Sequence, residues 1–467
     1  MPHVPYKPPM PVRIEDAAHL APPPGAKRMF IKSYGCQMNV YDGLRMAELL
    51  APMGYGLAPT AQDADLIILN TCHIREKADD KVFSDIGRMR REAAPNAVIA
   101  VGGCTGQALG ASIMQTAPAV QVVFGPQTYH RLPALLEKIT TGQLKRAVDT
   151  DFPELEKFDN LPTPGAYGPT AFVTIQEGCD KFCTYCVVPY TRGAEISRPA
   201  ADIIQEVESL AAQGVREVTL LGQNVNAYQH EEFTLASLCA AVGAVPGIER
   251  IRFTTSHPNN TGDDLIDAFA TNPKLMPYFH LPVQAGSNRV LQAMNRNHTA
   301  ESYLATLARI RQVNPDIAIS GDFIVGFPGE TEEDFEQTLQ LAANVGYFGA
   351  YSFAYSPRPG TPAAELPGQV GELTKKERLA ALQAVLDHTT ATYLTRFVGQ
   401  TLPVLIEGEN EHPERYGPQL RGRSPHNAPV NISYPAGTNA RSLIGQIVQV
   451  TITQSAAKSL VGVFSAE

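Results

Sequence analysis

Three cysteines crowd the stretch Gly178–Cys186, GCDKFCTYC, where Cys179, Cys183 and Cys186 stand at CxxxCxxC spacing. Such intervals let one short loop turn three thiolates toward a single point. Thiolate-only ligation suits zinc or an iron–sulfur cluster. A closed structural zinc site takes four ligands, usually as two pairs far apart in the chain. The next cysteine, Cys239, lies well beyond the loop in an apolar helical pattern and reads as a core residue. Three thiolates on a four-iron cube leave one iron open to an outside ligand, so the loop is expected to hold an open, reactive cluster.

Three further cysteines repeat the theme upstream. Arg28–Tyr34, Asp65–Asn70, Ala97–Val101 and Val122–Phe124 read as short apolar strands alternating with helical periods. Strand–helix alternation with short connections predicts a parallel sheet with covered faces. Cys36, Cys72 and Cys104 each follow one of the first three strands, at the carboxyl edge where open α/β sheets place ligands. One such cysteine alone is best read as an ordinary buried residue. Three at equivalent strand ends, beside glycines that admit close backbone approach, predict a second cluster with an open iron.

The alternation restarts after a proline- and glycine-rich linker, Leu161–Pro169. Strands are expected at Phe172–Gln176, Glu217–Leu221, Ile251–Thr255, Tyr278–Val283, Ile319–Val325 and Phe348–Tyr355, most followed by a helix. Six parallel units are too few to close an eight-stranded barrel, so an open barrel is expected, with reactive groups on its carboxyl face. The CxxxCxxC loop follows the first of these strands. Gly222, Gln223 and Asn224 follow the second, Ser256 and His257 the third and Gln284 the fourth, while Asp322 lies within the fifth. Each alone reads as turn or capping chemistry; their shared edge makes them candidates. Tyr351, Phe353 and Tyr355 alternate on the last strand, where core packing is the simpler reading and base stacking the alternative.

A chain of 467 residues with 44% hydrophobic and 18% charged residues is an ordinary globular protein of several domains. No apolar run approaches the roughly eighteen residues of a membrane helix, so no membrane association is expected. Residues 1–26 are proline-rich and lack a signal-peptide pattern; they read as a disordered extension. Seven cysteines in so long a chain are too few for a disulfide scaffold, which implies reduced thiols and a cytoplasmic protein. The net charge of −9 argues mildly against a polyanionic partner, yet nucleic-acid sites depend on local patches. After a long helix near Lys375–Phe397, Pro403–Glu407, Gln419–Gly422, Val430–Ser433 and Ile447–Ile452 are short strand candidates. They predict a small antiparallel barrel of the kind used in nucleic-acid binding. Arg421 and Arg423, with Asn427 nearby, are candidates for phosphate contacts, balanced by a plain solvated face.

The stretch QEGCDKFCTYCVVPYTRGAEISR resembles the cluster loop of radical S-adenosylmethionine enzymes, specifically the methylthiotransferases. SYGCQMN, NTCHIREKA and the glycine-flanked Cys104 resemble that family's N-terminal domain; SPRPGTPAA resembles the end of its barrel, and LRGRSPHNAPVN its C-terminal TRAM barrel. After Cys104 the chain reads TGQ where the family pattern has a bulkier residue and alanine. The resemblance implies an α/β chain with a methylthiotransferase N-terminal domain over 27–145, an open (β/α)6 radical-SAM partial barrel over 165–398, and a TRAM barrel over 399–467. It implies two 4Fe-4S clusters and S-adenosylmethionine. One cluster, on Cys179, Cys183 and Cys186, would bind S-adenosylmethionine, with Tyr185, Gly222, Gln223, Asn224 and Ser256 around it. The other, on Cys36, Cys72 and Cys104, would carry the sulfur to be inserted. The substrate implied is N6-isopentenyladenosine in a tRNA anticodon stem-loop, methylthiolated at adenine C2 by a monomer served by a low-potential donor such as flavodoxin or ferredoxin. A ribosomal-protein aspartate as substrate, or a non-catalytic iron–sulfur carrier, are the alternatives.

Overall fold

The computed structural model describes residues 25–73, 76–153, 156–410, 417–435 and 437–464. Most of the proline-rich extension, and Ile74 and Arg75 of the IREKA stretch, lie outside the described residues.

Six parallel strands form the first sheet: β1 (Lys27–Ser33), β2 (Tyr55–Leu57), β3 (Leu66–Thr71), β4 (Val98–Gly102), β5 (Val122–Phe124) and β6 (Ala147–Asp149), in the order β2-β1-β3-β4-β5-β6. β3 and β4 are buried along their whole length, as uninterrupted apolar strands covered on both faces must be. One face packs Met29, Ile31, Leu66 and Ile68 against Met46, Leu50 and Leu136; the other packs Ile67, Leu69 and Ile99 against Val82, Ile86 and Met89. Two edge strands, β2 and β6, add to the four read from sequence. Each is three residues long, one carrying a glycine and the other ending in an aspartate, and neither forms an apolar run.

The middle unit has the six expected parallel strands: β7 (Thr170–Thr174), β8 (Glu217–Leu221), β9 (Arg250–Thr254), β10 (Tyr278–His280), β11 (Ala318–Val325) and β12 (Gly349–Ala354). They hydrogen-bond as two triplets, β9-β8-β7 and β10-β11-β12. One isolated bridge, Ile251 to Leu275, joins β9 to the segment that leads into β10. Pro277 and Pro282 flank β10 and lack the N–H a longer ladder requires, which accounts for its three residues. Helices at Ala200–Ala212, Leu235–Ala244, Asp263–Thr271, Ala300–Val313 and Glu332–Val345 pack outside. Three of the helices open with complete capping boxes, at Thr234, Thr299 and Thr331.

The two units meet through α1 (Gln37–Leu50). Its Met38, Val40, Tyr41 and Leu44 form one buried cluster with Phe172 of β7 and Leu221 of β8. The first sheet is therefore clamped directly onto the barrel wall that carries the CxxxCxxC loop.

The tail closes into a five-stranded barrel: β13 (Thr401–Glu409), β14 (Leu420–Arg423), β15 (Pro429–Ser433), β16 (Ile447–Ser455) and β17 (Leu460–Phe464), in the order β13-β14-β15-β17-β16. Four ladders are antiparallel, and the β15–β17 pair is parallel. This barrel docks on the starts of the middle strands. Arg250 donates to the carbonyls of Arg423 and Pro403 at 2.9 and 2.6 Å, and Arg252 to those of Pro425 and Ser424 at 2.8 and 2.9 Å. Arg423 itself is 3% exposed, its guanidinium bound to Glu407 and Asn427 within the barrel, so of the two readings the sequence left balanced neither a phosphate contact nor a solvated face describes it. Among the described residues no helix is long and apolar enough to cross a membrane.

His426 sits in the docking turn with its ring 4.8 Å from that of Phe397. Burial, then the charge of Arg396, holds its pKa down to about 4, against an ordinary 6.5. The unfolded chain thus takes up a proton at higher pH than the folded one, so this contribution is complete above pH 6.5 and is lost as pH falls from 6.5 toward about 4. Melting of the full chain followed between pH 7.5 and pH 5 should show this loss, and His426→Leu should make it smaller without abolishing it.

Candidate active site: two three-cysteine centres

The first centre is built on the three adjacent strands β1, β3 and β4. Cys36 stands at the N-cap of α1, Cys72 directly after Thr71, and Cys104 in the first turn of α2 (Gly103–Leu109). Backbone contact draws them together. Gly35 has φ +94°, and a Cβ there would lie 2.6 Å from the Cys72 sulfur. Gly103 has φ +84° and forms a parallel bridge with Thr71, whose carbonyl oxygen would lie 2.4 Å from an added Cβ. Both positions need glycine for conformation and for space. Asn39 ties the set together, donating to the carbonyls of Tyr34 and Thr71 at 2.6 and 3.0 Å, while the Cys36 thiol faces its side-chain oxygen at 3.7 Å. Burial pushes the Cys36 thiol up against the opposing pull of Arg192.

The second centre is the loop after β7. Gly178, at φ +75°, crosses so close to Ala194 that a Cβ would lie 1.8 Å from its carbonyl oxygen. Cys179 N–H donates to Gly193 at 3.2 Å and Cys186 N–H to Cys183 at 2.9 Å. Thr184 anchors the loop tip, its N–H and hydroxyl donating to the carbonyls of Met294 and Ala293. Burial pushes Cys179 up to about 11 and Cys186 up to about 12. These thiols are held protonated unless a metal replaces the proton. Among the described residues no three His, Cys, Asp or Glu side chains converge on one metal ion. A polynuclear cluster, with ligands at separate corners, does not require that convergence.

Polar groups converge on the same edge. Gln223 accepts the Gly178 N–H at 2.6 Å, and Gln176 accepts the N–H groups of Gln223 and Asn224 at 2.9 and 3.0 Å. Gly222 leaves room for that Gln176 oxygen, which would lie 2.5 Å from a Cβ. Tyr185 packs, partly buried, against the apolar cluster that includes Ala285, Val290, Phe327 and Tyr355; Tyr355 is core, 4% exposed. Asn224 Oδ1, Ser256 Oγ, His257 Nε2 and Arg296 Nε are buried without a protein hydrogen-bond partner. Buried polar atoms left open in this way mark a place for a polar ligand.

Arg296 and His298 were not legible as site residues. Arg296 is 4% exposed, donates to Pro282 O at 2.5 Å and points Nη1 at the Cys183 sulfur from 3.6 Å. His257 and His298 form an edge-to-face pair, 6.0 Å between centroids, and burial followed by Arg296 holds both well below 6.5, at about 2 and about 4. They are neutral donors and acceptors at physiological pH. Cys239 is fully buried in the helical core, as expected, and Gln284 and Asp322 lie on the second triplet rather than among the orphaned atoms.

Gly35→Ala should block the Cys36–Cys72 approach. After anaerobic iron–sulfide loading, it is expected to hold about half the iron of the unmodified chain, with the loop centre still loaded.

Three family models match the chain: Uncharacterized protein family UPF0004 over residues 28–125, the Radical SAM superfamily over 173–342, and the TRAM domain over 395–464. A tRNA-2-methylthio-N(6)-dimethylallyladenosine synthase of Maricaulis maris (strain MCS10) is 53% identical over 451 residues, spanning 93% of this chain and 97% of that protein. Its counterpart from Jannaschia sp. (strain CCS1) is 52% identical over 447 residues, covering 94% of each. Among solved structures, a radical S-adenosylmethionine methyltransferase, TsrM, from Kitasatospora setae aligns with a TM-score of 0.55 at 14% identity, over 73% of this chain and 74% of that one; this likeness concerns the fold. With both three-cysteine centres, the domain order and this identity in agreement, the chain belongs to the tRNA-2-methylthio-N(6)-dimethylallyladenosine synthase family of radical S-adenosylmethionine proteins.

Proposed function

We propose that this chain converts N6-isopentenyladenosine beside a tRNA anticodon to its 2-methylthio derivative, inserting sulfur at adenine C2 and methylating it from S-adenosylmethionine. The observation that carries this reading is the pair of three-cysteine centres on the carboxyl edges of two parallel sheets clamped together through α1. The working units are assigned as 27–145, 165–398 and 399–467.

Cys179, Cys183 and Cys186 would hold one 4Fe-4S cluster, and Cys36, Cys72 and Cys104 the other; each three-thiol set leaves an iron for an outside ligand. When bound, the loop cluster with S-adenosylmethionine supplies the 5′-deoxyadenosyl radical, and the second cluster the sulfur. The protein's part is placement and exclusion of side reactions. Asn224 and Ser256, with their unpartnered buried oxygens, suit the amino-acid and ribose groups of S-adenosylmethionine. Gly222 and Gln223 act with them by fixing Gly178, and Tyr185 borders the adenine position beside Cys186. His257 and Arg296, with open nitrogens on the same edge, join that set. The substrate adenine must leave its stack to reach between the centres, which a single-stranded anticodon loop permits at low cost. The TRAM barrel supplies the RNA-facing surface, the electron donor is a low-potential flavodoxin or ferredoxin, and the enzyme works as a cytoplasmic monomer.

Reconstituted protein should release 5′-deoxyadenosine from S-adenosylmethionine and form 2-methylthio nucleoside in isopentenylated tRNA. Cys183→Ala should abolish both products. Cys72→Ala should retain cleavage and lose the methylthio nucleoside by at least about a hundredfold. Normal methylthiolation by Cys72→Ala, or a modified ribosomal protein with unmodified tRNA, would overturn the assignment.

A further inference from the structure

The loop centre and the N-terminal centre are joined by a buried group of charges drawn from three segments far apart in sequence. Arg192 ends the helix Val188–Arg192, just beyond the CxxxCxxC loop, and is 3% exposed. Its guanidinium crosses to the N-terminal sheet, donating to Asp42 Oδ2 at 2.8 Å and Asn39 Oδ1 at 3.3 Å, and back to Glu177 Oε1 at 3.2 Å. Its own carbonyl accepts the Gln127 side-chain N–H at 2.9 Å. Lys157, fully buried, completes the group by binding Glu177, with Asp42 3.9 Å away. An Arg fork fixed at both nitrogens has one orientation only.

That orientation serves the N-terminal centre. The Asn39 oxygen that accepts from Arg192 is the one the Cys36 sulfur faces at 3.7 Å. Arg192 and Cys36 thus meet on one side-chain oxygen, which fixes the guanidinium beside the N-terminal centre. At the loop centre the corresponding residue is Arg296, whose Nη1 points at the Cys183 sulfur from 3.6 Å. Each centre thus has its own buried arginine, and that of the N-terminal centre is supplied by the barrel domain.

We propose that Arg192 is a positioning residue for the reaction: it fixes Cys36 through Asn39 and places the positive charge that sets the reduction potential of the cluster on Cys36, Cys72 and Cys104. The inference rests on the assignment of that cluster made above. Reduction adds negative charge to an already anionic thiolate-bound cluster, and a fixed cation in a low-dielectric site favours the reduced form. Removing the cation therefore shifts the midpoint negative.

The test is an EPR-monitored redox titration of the full chain, with Cys179, Cys183 and Cys186 replaced by Ala so that the N-terminal cluster is read alone. Arg192→Gln should shift its midpoint negative, and Arg192→Lys, which keeps the charge and loses the fork, should stay near the parent. In the converse background, Cys36, Cys72 and Cys104 replaced by Ala, Arg192→Gln should leave the loop cluster's midpoint in place. An unmoved N-terminal midpoint in Arg192→Gln, or equal shifts in both clusters, would overturn the proposal. If Arg192→Gln fails to load iron, Arg192→Lys decides: recovered iron and midpoint support the charge, and failure to recover overturns it. A parent chain that loads no iron at the N-terminal site would instead remove the cluster assignment, and the proposal with it.

Discussion

The buried group of Asp42, Arg192, Glu177 and Lys157 is the constraint on which the arrangement depends. Two sheets, each complete in its own core, place three cysteines apiece at a carboxyl edge, and neither sheet alone decides how those edges face. The apolar contact of α1 with β7 and β8 supplies adhesion but little orientation. Charges buried with fixed hydrogen-bond geometry are directional. Leaving one unpaired costs about 3–5 kcal/mol, so sliding one sheet against the other is strongly opposed. Burial alone would push Glu177 up; Lys157 and Arg192 more than offset this and hold it low, so it remains a carboxylate.

A second constraint works through glycine. Gly35 and Gly103 let the backbone pass against Cys72 and Thr71, and Gly178 lets the cluster loop fold back on Ala194. Side chains at these points would separate the thiols before any metal arrived. The thiols meanwhile gain nothing from deprotonation without metal, since burial keeps Cys36, Cys179 and Cys186 protonated. Cluster loading and completion of the site are thereby coupled.

Much of this was legible in the sequence, for identifiable reasons. Buried parallel strands are continuous apolar runs, so β3, β4 and the middle strands stood out, and a cysteine after each strand marks an edge by position alone. Strands that form because a neighbour offers hydrogen bonds leave no such trace: Tyr55–Leu57 and Ala147–Asp149 are short edges without an apolar run. Charged contacts were the least visible. Arg192 and Asp42 are 150 positions apart, and no local period connects them. Arg423 stood only as a candidate phosphate contact balanced by a solvated face, because an exposed arginine and one locked to Glu407 inside a barrel are identical as letters. Arg296 and His298 lie in a polar turn, where only the fold reveals that they face Cys183 and His257.

The TRAM barrel enters this picture from the opposite end. It is fixed by Arg250 and Arg252 to the starts of the middle strands, while both cysteine centres lie at strand ends. The barrel and the two cysteine edges therefore stand at opposite ends of the middle strands. Two cysteine triplets that each hold a cube make iron and acid-labile sulfide analysis, with Mössbauer spectroscopy, of the anaerobically reconstituted full chain the decisive measurement. About eight irons per chain in two cubes are expected, falling to about four when either cysteine triplet is replaced by alanine; about four irons in the unmodified chain would show that only one triplet holds a cluster.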